Sequence, residues 1–385
     1  MGNKLRIGVF SAHYLPGYKG GGPIKSIRNL IDEMGDQLDF RLVTSDRDLG
    51  DSEPYGSVRC SEWNKVGKAL VFYAKPGWSG YMEIFRILKA DGYDLVYLNS
   101  LFSPRFSLFP LFLATILRRS IVLAPRGELS QGALAIKPLK KRIFLLFFRL
   151  LKLHKRPVFQ VSTRFEAQDI YSVFGPGVDV FIAENIASQD FARNIPVRSP
   201  SVLKAVFVSR ISPKKNLLAA LEMLSCVQNS LSYHIYGPIE DREYWQQCKK
   251  IISGLPSHIE VKYMGELRSE EVVPTLSCYD VFFFPTKGEN YGHVIAEALC
   301  AALPVVIADT TPWRNLEQHG VGRDLPLSNP LAFSAALDEL AEMEPEQYLE
   351  IRRHVLAWAK GKFLQRDAID ANIAMFKYVY GKNKG

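Results

Sequence analysis

Cysteine is scarce in this chain of 385 residues: five, scattered singly at Cys60, Cys226, Cys248, Cys278 and Cys300. An odd, dispersed set excludes a disulfide framework and a thiolate zinc site, and predicts reduced, buried thiols in a cytoplasmic protein. Low-complexity tracts and short-period repeats are also lacking. The opening MGNKLRIGVFSA turns polar too soon for a secretory leader, so none is expected. The first strand is not followed by the spaced glycines of a dinucleotide fingerprint, which disfavours a dehydrogenase. No Ser-His-Asp constellation and no clustered metal ligands stand out. Acid is short in one half only. Residues 1–195 hold 27 Lys and Arg against 18 Asp and Glu, whereas residues 196–385 hold 21 against 22. The formal charge of +8 therefore belongs to the first half, which is suited to meeting anions.

What is present is alternation. Apolar, β-rich runs occur at LRIGVF, FRLVTS, ALVFYA, DLVYLN and SIVLAP, then again at KAVFVSR, LSYHIYG, IEVKYMG, DVFFFPT and LPVVIAD. Helix-length stretches separate them. Strands that read as continuous apolar runs between helices indicate parallel sheets covered on both faces. The patterning is weakest in the polar stretch FARNIPVRSPS, residues 191–201. The expected organisation is two doubly wound α/β domains, 1–195 and 196–362, with residues 363–385 forming a helix that crosses back to the first. Ligand is expected in the crevice at the strand carboxyl ends.

The most specific string is FFFPTKGENYGHVIAEALCAALPVVIAD, residues 282–309. It reads as buried strand, loop, helix from about Tyr291, and buried strand. Glu289 lies in the loop and Glu297 falls about 9 Å along the helix. The amides of Tyr291, Gly292 and His293 would sit at its positive end, where anions are stabilised. Two carboxylates so spaced can grip both ends of an extended, hydroxyl-rich, phosphate-centred ligand, the shape of a nucleotide sugar. FVSRISPKKN ends a strand at Arg210 and places Lys215 at a helix opening, beside Lys214. Two cations there can neutralise a diphosphate. The run YKGGGPIKSI, with Gly20, Gly21 and Gly22 between Lys19 and Lys25, offers backbone unobstructed by side chains after the first strand.

On GENYGHVIAEAL, its continuation ALPVVIADTTPWRNL and FVSRISPKKN, the chain resembles the retaining glycosyltransferases of family 4 over nearly its whole length. The resemblance implies the GT-B fold, two Rossmann-like domains whose parallel sheets face a central cleft. It implies that Glu289 contacts donor hexose hydroxyls and Glu297 accepts the ribose hydroxyls. Asn290, Tyr291 and Gly292 would hold sugar and phosphates, and Arg210 and Lys215 the diphosphate. The glycine loop Gly20–Gly22 would approach the donor phosphates and acceptor, and main chain around Gly265 the base. The donor is expected to be UDP- or GDP-linked, with no cofactor and no metal. Many members carry a histidine where this chain reads PRGELSQGA. Here Arg126 could stabilise a departing phosphate or an acceptor phosphate and Glu128 could take the acceptor proton; a loop salt bridge between the two remains open.

Asp46 and Asp48 in TSDRDLGD have the spacing of a metal pair, but only one such pair follows the second strand. His13 and His293 lie near the expected crevice, and His293 could donate to a sugar or phosphate or cap its helix. Residues 137–156, KPLKKRIFLLFFRLLKLHKR, carry eight Lys or Arg and no acid around an apolar centre too short to span a bilayer. That composition suits a helix lying on an anionic membrane; a core helix with basic ends is the alternative. The expectation is a peripheral enzyme on the inner face of the plasma membrane, acting on lipid-linked glycans, with nucleic acid not a partner. A soluble enzyme on free sugars or sugar phosphates, and a non-catalytic basic binder of lipid or nucleic acid, are the rivals.

Overall fold

The computed structural model describes residues 4–90, 92–196 and 202–382; residues 197–201 of the expected boundary stretch lie outside them. The chain divides into two units, Met1–Ile186 with Arg366–Gly385, and Ala187–Gln365. The first division falls ahead of the expected residue 195 for a packing reason. Ile186 is in the core of the first unit, its carbonyl accepting from Asn29 Nδ2 at 2.9 Å, while Ala187 is in the core of the second. The Ala192 amide then donates to Cys300 O at 2.9 Å, which fixes this segment to the second unit.

The first unit is built on β1 (Arg6–Phe10), β2 (Asp39–Ser45), β3 (Trp63–Val66), β4 (Ala69–Ala74), β5 (Leu95–Asn99), β6 (Ser120–Ala124), β7 (Val158–Val161) and β8 (Asp179–Ile182). Their order across the sheet is β3-β4-β2-β1-β5-β6-β7-β8. Every pairing is parallel except β3 with β4, an edge hairpin that the all-parallel expectation did not include. Side chains alternate between two cores, as the strand period requires. On β5, Leu95 and Tyr97 enter one, and Val96 and Leu98 enter the other. Helices Gly22–Met34 and Asp367–Lys382 cover the first core; Gly77–Ala90, Phe109–Ile116, Pro138–Leu150 and Arg164–Phe174 cover the second.

The second unit has β9 (Leu203–Val208), β10 (Leu231–Tyr236), β11 (Ile259–Gly265), β12 (Val281–Phe284), β13 (Val305–Ala308) and β14 (Gly322–Leu325), all parallel, in the order β11-β10-β9-β12-β13-β14. In both sheets the order reverses once, between β1 and β5 and between β9 and β12. Such switch points open a space at the strand carboxyl ends, where ligands of doubly wound sheets bind. The cysteines are all free; Cys248 and Cys300 are buried as expected, but Cys226 and Cys278 are exposed and Cys60 is half-buried.

Phe376, on the last helix, packs edge-on against Tyr97 at 5.5 Å and Phe40 at 6.4 Å between ring centroids. Phe376→Ala should cost the first unit about 3–5 kcal/mol through lost burial and a residual cavity. Hydrogen exchange should show faster opening of β5 and β6, with β9 and β12 unchanged.

Candidate functional site

At the switch point of the second sheet, two loops are bound to each other before any ligand is considered. The first follows β9 through Arg210 to Asn216; the second follows β12 through Pro285 to Gly292. Lys215 Nζ is 2.6 Å from Glu289 Oε1, and the two side chains retain only 13% and 12% of their exposure. Around that pair, Asn216 Nδ2 donates to Pro285 O at 2.8 Å and the Lys287 amide to Lys214 O at 3.0 Å. Fully buried Thr286 places Oγ1 3.3 Å from Lys214 O and 3.2 Å from Glu289 Oε1. Asn216 adopts φ +60°, which asparagine tolerates better than most residues, and so turns the chain from the Pro213–Lys215 turn directly into helix Leu217–Leu224. Sequence reasoning missed Asn216 and Thr286. Their signals were an Asn closing PKKN at a helix start and a Thr beside the strand-ending proline.

The other second-unit expectations are placed as follows. Arg210 pairs with Glu240 at 2.9 Å, on the rim of the β9 and β10 carboxyl ends, and not with the Lys215–Glu289 pair. The signature helix runs His293–Cys300, two residues later than expected, because Gly292 takes φ +82° and caps it. Its leading amides therefore belong to His293 and Val294, whereas those of Tyr291 and Gly292 precede the helix. Tyr291 is buried, with its carbonyl accepting from Trp313 Nε1 at 2.6 Å. Asn290 lies between the loop glutamate and this capping turn. Glu297 is buried within the helix, about 6 Å from its start by helical rise. The far end is held by Arg352, a buried guanidinium donating to the carbonyls of Ala302 at 2.9 Å and Ala301 at 3.2 Å. A cation there complements the negative end of the helix. Gly265, at φ +84°, accepts from the Gly237 amide at 2.8 Å. Gly237 was not anticipated, although YGP after a strand is a turn signal. At φ +130° its added Cβ would meet the Ser209 carbonyl carbon at 2.6 Å, so only glycine lets β10 close on the Arg210 loop.

The first unit's switch point carries the remaining candidates. Gly21 has φ +67° and caps helix Gly22–Met34, its added Cβ meeting nothing within 4 Å. Its amide is spent on Tyr18 O at 3.0 Å, so the glycine run presents fewer donors than expected. Gly20 is needed for space, since a Cβ there would lie 3.0 Å from Ile24 and 3.1 Å from His13. Lys19 is paired with Asp51 at 2.6 Å. Asp48 anchors this loop, accepting from the amides of Tyr18 at 2.8 Å, Lys19 at 3.2 Å and Leu49 at 2.8 Å. Asp46 pairs with Arg47 at 2.9 Å, so neither aspartate is arranged as a metal ligand. Burial lowers the pKa of His13, the nearby Asp48 carboxylate opposing it in part, and its Nδ1 is buried without a partner, as is Nδ2 of Asn99 on β5.

Arg126, at φ +57°, donates to Asn99 Oδ1 at 2.7 Å, to the Tyr97 hydroxyl at 2.6 Å and to Asn185 Oδ1. Glu128 turns away from it and accepts from Ser100 Oγ at 2.8 Å and the amides of Leu101 at 2.5 Å and Phe102 at 3.2 Å. The loop salt bridge considered from sequence is therefore not formed. Burial pushes the Glu128 carboxyl above its ordinary value, and the three donors only partly offset it. Buried Glu166, accepting from the Gly127 amide at 2.7 Å and the Ser162 amide at 2.8 Å, fixes the PRG turn and was not foreseen.

The fold is GT-B. A structure of Anabaena HepE in complex with UDP-glucose superposes with a TM-score of 0.70, covering 98% of this chain and 100% of that one at 15% identity. Residues 188–355, nearly all of the second unit, match the family model for glycosyl transferases group 1. The Arabidopsis thaliana sulfoquinovosyl transferase SQD2 is 29% identical over 121 residues, 31% of this chain and 22% of that protein. A Mycobacterium leprae phosphatidyl-myo-inositol mannosyltransferase is 28% identical over 127 residues, 32% and 33%. The chain thus matches a third or less of the length of these curated relatives.

Two outcomes test the geometry. Gly237→Ala should destabilise the second unit by about 3 kcal/mol, because backbone must move, whereas Gly21→Ala meets no neighbour and should cost about 1–2 kcal/mol from its dihedral strain alone; denaturant titrations measure both. A raised Glu128 pKa means the folded state holds the proton more tightly than the unfolded state. Its contribution to stability therefore falls as pH rises from the ordinary carboxylate range through the raised value. Glu128→Gln, which cannot ionise, should gain stability relative to the parent over that interval, and a pH-independent difference would refute the shift.

Proposed function

We propose that the protein is a retaining, metal-independent glycosyltransferase of family 4 that moves a hexosyl unit from a UDP- or GDP-linked sugar to a hydroxyl of a lipid-linked glycan. On this reading it serves cell-surface polysaccharide biosynthesis from the cytoplasmic face of the plasma membrane. The observation that carries the reading is the Lys215–Glu289 pair, held on cross-tied loops at the switch point of the unit that matches the group 1 family model. An ammonium keeps two further N–H donors after bonding one carboxylate oxygen, so Lys215 can meet a diphosphate while it orients Glu289. Arg210, on the adjoining rim, supplies a second cation. Fixed charges of this kind offset the negative charge that grows on a leaving diphosphate, usually the largest electrostatic contribution to such a reaction. The amides of His293 and Val294 add the positive end of a helix.

As the anomeric carbon develops oxocarbenium character, Glu289 orients the ring and Glu297 engages the ribose. The acceptor hydroxyl attacks from the face of departure as the bond to the diphosphate breaks, passing its proton to the departing phosphate oxygen, which gives retention. The first unit offers His13 Nδ1 and Asn99 Nδ2 at its own switch point for the acceptor, with Arg126 holding Asn99 in place. The similarity to a mycobacterial phosphatidyl-myo-inositol mannosyltransferase and to HepE in complex with UDP-glucose supports this choice of substrates.

Membrane attachment is supported by helix Pro138–Leu150. Of its residues only Phe148 is buried, while Leu139, Ile143, Leu146, Phe147 and Leu150 are exposed beside Lys140, Arg142 and Arg149. Phe144, Leu145 and Phe148 pack inward on the core, so these exposed leucines, isoleucine and phenylalanine form a second apolar stripe that a purely core-facing helix would lack. No helix among the described residues is long and apolar enough to cross a membrane. A basic, apolar helix of this length instead lies in the interface.

Lys215→Ala and Glu289→Gln should each lower transfer from a UDP- or GDP-hexose by about 100-fold or more. Lys215→Ala also strands a mostly buried carboxylate and should cost about 3 kcal/mol of stability. Glu289→Gln keeps a hydrogen-bond acceptor and should cost less. Normal turnover by folded Glu289→Gln would overturn the reading.

A further inference from the structure

A cavity of about 440 Å³ opens at the opposite edge of the first sheet, at the amino ends of β6 and β7. Arg118, Arg119, Lys155, Arg156 and Lys382 line it together with Ser120, and no carboxylate among the described residues does. The register explains the clustering. Val122 pairs with Val158 in parallel strands, so Arg119 and Ser120, which lead into β6, run alongside Lys155 and Arg156, which lead into β7. Helix Asp367–Lys382 closes one side with Val379 and Lys382.

The charges there are poorly compensated. Lys382 is neutralised by Asp179 at 2.5 Å. Arg119 spends one N–H on the carbonyl of Tyr93 at 3.0 Å, and its buried Nε has no partner. Among the described residues, none of Arg118, Arg119, Lys155 and Arg156 takes part in an ion pair, although exposed cations elsewhere on the unit, such as Lys68 and Arg59, have found carboxylates. Four like charges brought together without counter-ions repel one another, and a polyvalent anion relieves that repulsion. Guanidinium groups match phosphate oxygens with paired N–H donors, and the volume suits a small molecule or head group.

We propose that this cavity is a binding site for a phosphate-bearing anion, separate from the transfer site. β6 alone spans about 13 Å between Ser120 and Ala124, with Arg126 beyond its other end. Lys155 and Arg156 follow the basic helix Pro138–Leu150 by one short turn, so a phospholipid head group is one source of the phosphate and a soluble phosphate the other. The proposal does not depend on the transferase reading.

Inorganic pyrophosphate is the soluble probe, followed by the amide shifts of Ile121 and Val158, which report on this cavity and not on the Lys215 site. Vesicles of phosphatidylcholine with and without phosphatidic acid are the lipid probe, read by hydrogen exchange of the same amides. The variant is Arg118→Gln/Arg156→Gln, both exposed positions, with Lys140→Gln/Arg142→Gln on the basic helix as the comparison. Saturable shifts with pyrophosphate, weakened about tenfold or more in the cavity variant as expected for a lost charge-assisted bond, and unchanged in the helix variant, support a soluble phosphate. Protection only by phosphatidic acid vesicles, lost in the cavity variant, supports a lipid head group. No response to either probe, or a response that the cavity variant retains in full, overturns the site.

Discussion

The contact between Lys215 and Glu289 sets the architecture of the second unit's edge. Two loops separated by more than seventy positions in sequence must converge for it to form, and at such low exposure each charge would be costly without the other. The surrounding bonds share the task. Asn216 fixes the first loop on the second through Pro285 O, and Lys214 O receives the amide of Lys287. Arg352 holds the distant end of the helix that begins just after the second loop. Position, and not only charge, is therefore built into the site from both ends. This is the kind of support a preorganised electrostatic site requires, because donors that must reorganise during reaction lose much of their effect.

The first unit uses its polar residues differently. Arg126 lies at the equivalent sheet edge, but its donors are committed to Tyr97, Asn99 and Asn185. Tyr97 is in turn bonded to Gln160, and Gln160 Nε2 reaches Asn372 Oδ1 on the last helix at 3.0 Å. A buried network connected in this way restricts the arrangement of its members. Here it links the PRG turn to the helix that returns to this unit after the second has been completed. Arg126 thus has a structural part independent of any substrate, and the free valences at this edge belong to its neighbours, Nδ1 of His13 and Nδ2 of Asn99.

How much of this was legible depended on whether the signal was local. The central strands read clearly because both faces are buried and their apolar runs are continuous. β3, β8 and β14, with WNKV, DVFI and GRDL, are short edge strands with half-exposed side chains, and their composition is close to that of loops. Glu289 and Lys215 were legible because each lies in a distinctive strand–loop–helix string. That they bond each other was not, since it depends on distant loops meeting in space. Asp48 looked like half of a metal pair because spacing alone cannot tell a ligand from a loop anchor. Three backbone amides, two of them thirty or so residues earlier, decide that it is an anchor. The helix start was misplaced by two residues because Gly292 takes a left-handed dihedral, and a glycine's choice between capping a helix and entering it is settled by packing, here against Trp313 and Ile295.

Charge shows the same dependence on placement. The excess of cations in residues 1–195 marked that half as suited to meeting anions, and the structure distributes it over several places. Some of it is internal, as with Arg126 in its hydrogen-bond network. Some lies along Pro138–Leu150, where exposed leucine and phenylalanine alternate with lysine and arginine. A third share converges at the amino ends of β6 and β7, without the apolar residues of the helix but with a concave shape. An apolar, basic helix favours a surface it can enter, whereas a concave basic cavity favours a discrete anion it can surround. The same net charge therefore describes two different kinds of surface, and only the side chains beside each cation distinguish them.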